Sequence, residues 1–180
     1  MTFHNYDVAI VGGGAAGLSA ALVLARARRR VIVLDAGSPR NAAAGHMHNF
    51  LSRDGMPPAE LLAVGRDEVL GYGAEIIAAT VLRLLTGSSG FDIVLDSGPT
   101  ISARRLVIAT GLTDHLPEIP GLRERWGRDV LHCPYCPGYE VAPSPLSPDL
   151  SITVNASLFK NVIDSSQSNF RVARSFAMEL

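Results

Sequence analysis

At 180 residues with a formal net charge of −1 at pH 7, the chain is long enough to bury one sizeable core and carries no bulk charge that would suit a polyanion partner. Its composition, 47% hydrophobic and 6% aromatic, is ordinary for an α/β domain. Residues 8–25 are apolar for long enough to raise a membrane span, but Asp7 and Arg26 bracket them and four glycines crowd one end, so a buried strand–turn–helix unit explains them better. The first seven residues lack a basic stretch of the kind that opens a signal peptide, and a cytoplasmic protein is expected.

In chain order, Tyr6–Val11 reads as a short buried strand, and the Ala-, Leu- and Arg-rich residues 15–28 read as a helix. Between them stands Gly12-Gly13-Gly14-Ala15-Ala16-Gly17. In this setting Gly12 permits a tight turn, Gly14 lets a pyrophosphate approach the backbone, and Gly17 lets the helix pack on the strand, while free N–H groups at the helix start attract phosphate. Arg26, Arg28, Arg29 and Arg30 fall in the expected last turn, where cations complement the helix dipole, so they need not mark a nucleic-acid patch. Val31–Leu34 reads as a second strand ending at Asp35, placed to accept hydrogen bonds from both hydroxyls of an adenosine ribose. An acid there disfavours a 2′-phosphate, so FAD or NAD fits better than NADP. A plain glycine turn in an α/β domain, or a methyltransferase holding S-adenosylmethionine by the same acid, are the alternatives.

Pro57 to about Gly71 reads as a helix with proline at its start and Gly71 and Gly73 closing it. Glu75–Ile77, Thr80–Leu85, Phe91–Leu95 and Thr100–Ile101 are β-rich runs set apart by glycine- and serine-rich turns, which predicts an antiparallel meander. Leu106–Ala109 is a further buried strand of parallel type, and Thr110-Gly111 at its end lets the chain pass close to a bound cofactor or simply makes a turn. Near residue 135 come the only two cysteines, Cys133 and Cys136, with two residues between them. In an intracellular protein that spacing is redox-active or metal-binding more often than a structural staple, and a metal site would have to add His46 or His48.

Gly12–Gly17, Asp35, the meander, Ala109-Thr110-Gly111, Pro117-Glu118-Ile119-Pro120-Gly121 and the Cys133-Pro134-Tyr135-Cys136 segment resemble, in order and spacing, the low-molecular-weight thioredoxin reductases. The stretch from His132 through Gly138-Tyr139-Glu140 looks most like the branch that includes bacterial thioredoxin reductase-like proteins and flavin-dependent dithiol oxidases. The resemblance covers residues 6 to about 141. It implies an α/β class with a Rossmann-like FAD-binding domain, and FAD held by Gly12, Gly14, Ala15, Ala16, Gly17 and Asp35, with further contacts around Arg40, Asn49, Val81, Thr110 and Gly111. It also implies that Cys136 faces the flavin and Cys133 exchanges with a substrate disulfide, carried by a thioredoxin-like protein or a small dithiol, and it admits a homodimer. A division of labour agrees with thiol chemistry, since a Cys-X-X-Cys at a helix start lowers one thiol's pKa and keeps a resolving partner in reach.

Two departures qualify the resemblance. After the second cysteine the family commonly has an Asp or His able to move a proton, and here stands Pro137, leaving His132 as the candidate substitute. Residues 139–180 contain no glycine, so no second phosphate loop for NADPH can be built there. Ala142–Pro148 reads as an extended linker, and the Ser- and Asn-rich remainder holds the only lysine, Lys160. The expected organisation is thus an FAD-binding domain over 1–122, a Cys-X-X-Cys segment over 123–141, and a divergent tail over 142–180 of the kind a truncated or frameshifted gene would leave. The expected function is an FAD-dependent thiol-disulfide oxidoreductase passing electrons between flavin and the Cys133/Cys136 pair, the alternative being a catalytically incomplete dinucleotide-binding module. On this composition NADPH is not expected to bleach the flavin band of the 180-residue chain, whereas dithiothreitol should do so slowly and only while Cys136 is present. Anaerobic mixing followed at that band tests this; rapid bleaching by NADPH contradicts it.

Overall fold

The computed structural model describes residues 6–87, 90–96, 98, 100–127, 130 and 139. It divides into two units, Met1–Ala42 with Pro57–Asp114, and Ala43–Met56 with His115–Leu180. Cys133, Cys136, His132, Pro137 and the 142–180 segment lie outside the described residues. Among the described residues, no helix is long and apolar enough to cross a membrane.

The first unit is built on six strands in the order β3-β2-β1-β6-β5-β4. These are β1 (Tyr6–Val11), β2 (Val31–Asp35), β3 (Glu75–Ala78), β4 (Val81–Thr86), β5 (Phe91–Leu95) and β6 (Thr100–Ile108). Strands β3, β2, β1 and β6 run parallel, and β6, β5 and β4 pair antiparallel. The alternation of side chains across a strand divides the core between the two faces. Val8, Ile10, Val31 and Val33 point to one face, where they are buried with Leu18, Ala21 and Ala25 of α1 (Ala15–Arg26) and with Leu62 and Val69 of α2 (Pro58–Gly71). Ala9, Ile32 and Leu34 point to the other face and join Ile93, Leu95 and Ala103. Because the middles of β1 and β2 are covered on both sides, Val8–Val11 and Val31–Leu34 read in the sequence as unbroken apolar runs. The second unit contains the Ala43–Met56 loop, whose Met47 and Met56 share a backbone hydrogen bond of 3.0 Å, and the short α3 (Leu122–Arg125).

Three sequence expectations change. The run at Glu75 belongs to the parallel half, with Ala78 opposite Asp35, and not to the meander. Thr100–Ile101 and Leu106–Ile108 are parts of one nine-residue strand, β6, which ends before Ala109 and pairs antiparallel with β5 on one edge and parallel with β1 on the other. Two neighbours of opposite direction give this strand no single periodicity, so its exposed Arg104 and Arg105 read as a break. Helix α1 also stops earlier than residue 28. Arg28 has a φ of 58°, a left-handed conformation that ends the helix, so only Arg26 occupies the last turn. There Arg26 lies over the Tyr72 ring, 5.0 Å from its centroid, while the Arg30 N–H donates to Asp7 at 3.0 Å and ties the start of β2 to β1.

Candidate nucleotide-binding site

A cleft of about 310 Å³ opens at the carboxyl ends of the parallel strands, and its lining comes wholly from the first unit. Gly12, Gly13 and Gly14 form its floor, Asp35 and Ala36 one wall, and Ala109–Thr113 another. Gly12 has a φ of 111°, and a Cβ there would collide with the carbonyl of Ala109. A Cβ on Gly17 would collide with the Gly12 carbonyl, so the helix can approach the strand only as glycine. Around Gly14, by contrast, nothing lies within 4 Å of where a Cβ would stand, and its φ of −78° is open to any residue. The first intrahelical bond of α1 runs from the Leu18 N–H to the Gly14 carbonyl at 2.9 Å. Among the described residues no side chain caps this helix, and no acid sits in its first turn, so its leading N–H groups and dipole suit an anion.

Asp35 is held by two donors and backed by the glycine turn. The Gly37 N–H donates to Oδ1 at 3.0 Å, an Arg66 guanidinium N–H donates to Oδ2 at 2.6 Å, and the Gly13 backbone packs so closely that a Cβ there would collide with the carboxylate. Burial pushes the Asp35 carboxyl up, but the Gly37 N–H, the Arg66 hydrogen bond and charge, and the Gly13 N–H outweigh it. The result lies below the ordinary carboxylate range, so Asp35 is ionised at neutral pH.

Of the residues expected at a cofactor, Gly12, Gly14, Asp35, Arg40, Val81, Thr110 and Gly111 line this cleft. Ala15 and Ala16 are the first two residues of α1, exposed behind Gly14 and outside the lining, and Gly17 is buried under the turn. Arg40 forms a two-pronged ion pair with Asp114, at 2.6 and 2.8 Å. Asn49 belongs to the second unit, where it has a φ of 65° and donates its N–H to Asp54 at 2.9 Å. Arg66 was not expected from the sequence. A signal for it exists, because Pro58, Leu62 and Val69 are the buried stripe of α2 and Arg66 falls on the same stripe one turn after Leu62. A charge on a core-facing stripe needs a partner, and Asp35 is that partner. Among the described residues no group of three or more His, Cys, Asp or Glu could hold a metal, and the metal alternative at Cys133 and Cys136 falls outside them.

A parallel sheet with a glycine turn, a helix N-terminus and an acid at the end of the second strand defines a Rossmann-like dinucleotide-binding domain. Residues 6–154 match the family described as pyridine nucleotide-disulphide oxidoreductase, and the chain belongs to that family. It is 40% identical over 147 residues to thioredoxin reductase tcpT of Claviceps purpurea, a match covering 77% of this chain and 44% of that protein. The crystal structure of HlmI is 52% identical with a TM-score of 0.74, covering 84% of this chain and 51% of that one. A putative thioredoxin reductase TrxB of Bacillus anthracis is 37% identical with a TM-score of 0.74, covering 78% and 48%. The chain is therefore thioredoxin reductase-like and spans about half the length of these relatives.

The two glycines differ in what they require. Gly17→Ala should lower thermal stability, because its methyl meets backbone that cannot yield, whereas Gly14→Ala should leave the melting temperature within about 2–4 °C of the parent, since the added methyl meets nothing. Gly14→Ala should nevertheless weaken nucleotide binding by occupying the approach to the helix start. Calorimetric melting with and without FAD reads both effects; equal melting temperatures for the two variants would contradict the packing.

Proposed function

We propose that the chain binds FAD and works as a thiol-disulfide oxidoreductase of the thioredoxin reductase type. The observation that most supports this reading is the ionised Asp35 at the end of β2, beside an uncapped helix start and a turn that two glycines allow to close tightly. These features fit the adenosine and pyrophosphate of FAD: an acceptor for the ribose, N–H donors for the phosphates and backbone without side chains in between. Gly12, Gly14, Ala15, Ala16, Gly17, Asp35, Arg40, Asn49, Val81, Thr110 and Gly111 are the proposed FAD-binding set.

Bound FAD supplies a two-electron carrier that the side chains of the protein lack. The chain's own part in the chemistry falls to Cys133 and Cys136. As a thiolate, Cys133 attacks one sulfur of a substrate disulfide and forms a mixed disulfide, releasing the other sulfur as a thiolate that takes up a proton. Cys136 then attacks Cys133, releasing the second substrate thiol and leaving a Cys133–Cys136 disulfide to be reduced again. His132 is the group proposed to hold the proton in place of Pro137. The disulfide substrate is a thioredoxin-like protein or a small dithiol, NADPH is the electron source of the intact family, and the site of action is the cytoplasm.

Asp35→Ala should weaken FAD binding through loss of charge-assisted hydrogen bonding to the ribose, worth about 1.5–3 kcal/mol per bond. Fluorescence quenching of added FAD measures it. A purified chain that is colourless and also fails to quench FAD fluorescence overturns the flavin reading.

A further inference from the structure

The expectation that Asp35 receives both ribose hydroxyls meets a limit in its own hydrogen bonds. A carboxylate has about four lone-pair positions; the Gly37 N–H and Arg66 take two of them, and the Gly13 backbone, packed so closely that a Cβ there would collide with Oδ2, closes off a third. One position remains, while a ribose presents two adjacent hydroxyls. The guanidinium that crowds Asp35 can make up the difference. Arg66 keeps N–H groups beyond the one given to Asp35, its side chain is 34% exposed, and it lines the cleft alongside the carboxylate. Leu62, Ala79 and Val81 add an apolar wall beside the pair, suited to the flat base that the ribose carries. The other cation of the lining, Arg40, is engaged by Asp114 through both prongs of its fork.

Building on the reading of this cleft as an FAD site, we propose that Arg66 is a specificity-determining residue for the adenosine end of the cofactor. One ribose hydroxyl donates to Asp35 and its neighbour accepts from Arg66, so the ion pair recognises the cis-diol as one donor and one acceptor. Any polar residue at position 66 could help Asp35 stay ordered, but only a donor facing the ribose makes the effect depend on a particular hydroxyl. A second consequence concerns the 2′-phosphate. Asp35 repels it and Arg66 attracts it, so removing the acid alone leaves a guanidinium suited to a phosphate.

The test uses the full 180-residue chain freed of bound flavin, titrated calorimetrically with ADP, 2′-deoxy-ADP, 3′-deoxy-ADP and 2′,5′-ADP. Arg66→Ala should lower affinity for ADP about ten-fold and leave affinity for one of the two deoxy analogues unchanged, as expected when a single hydrogen bond to a charged group is lost. Arg66→Gln, which keeps an N–H donor, should recover part of the loss. Asp35→Ala should shift preference toward 2′,5′-ADP, and the added Arg66→Ala should abolish that shift. Equal losses for ADP and both deoxy analogues, or no loss at all, overturn the role of Arg66 while leaving the nucleotide site standing. Failure of the unaltered chain to bind ADP overturns the site and the role together.

Discussion

Three backbone segments meet at Gly12, and the geometry of the nucleotide-binding unit follows from how closely they approach. The end of β1 turns there with a φ of 111°, the Gly12 N–H donates to the Leu34 carbonyl of β2 at 2.8 Å, and the carbonyl of Ala109 beyond β6 occupies the space a Cβ would need. From the other side, α1 comes down on the Gly12 carbonyl with Gly17 as the contacting residue. Side chains at either glycine would push helix and strands apart. The helix start would then no longer lie beside the ends of β1, β2 and β6, and the cleft would lose its floor.

The chemistry of the cleft is a consequence of that approach. Parallel strands deliver their carboxyl ends to one edge, so Asp35, Ala79 and Thr110 arrive together although the chain separates them widely. The Ala79 N–H donates to the Asp35 carbonyl at 3.1 Å, which carries β3 directly into the Val81 side of the cleft. Charge is arranged in two fixed pairs, Asp35 with Arg66 and Arg40 with Asp114, and the helix start contributes N–H groups that no side chain among the described residues caps. Such a surface offers acceptor, donor and anion-binding positions in a row, which is the demand of an adenosine pyrophosphate.

Much of this was legible in the residues. Glycines at 12, 14 and 17 between an apolar run and a helical one leave few other structures, and Asp35 follows at the distance a second strand requires. Strand direction was less accessible, because Glu75–Ile77 has the same composition whether its neighbour runs parallel or antiparallel. Arg66 was hidden for a different reason. It meets Asp35 across 31 positions through the packing of α2 beside the sheet, and its one local signal, a place on the Pro58, Leu62 and Val69 stripe, does not name the partner. Arg28 and Arg30 illustrate the converse, since a residue type suited to a helix end proved to sit beyond that end, where backbone conformation and the bond to Asp7 decide its place.

The central claim is that the turn from β1 into α1, with Asp35 opposite, carries the nucleotide. Hydrogen–deuterium exchange with and without added FAD tests it most directly, because the leading N–H groups of α1 have no acceptor within the helix. Added FAD is predicted to slow exchange across residues 12–18 and 35–37, while leaving the exposed β4 residues Leu82–Leu85 unchanged. Unchanged exchange across 12–18 in the presence of saturating FAD, or protection confined to segments outside the cleft, would contradict it.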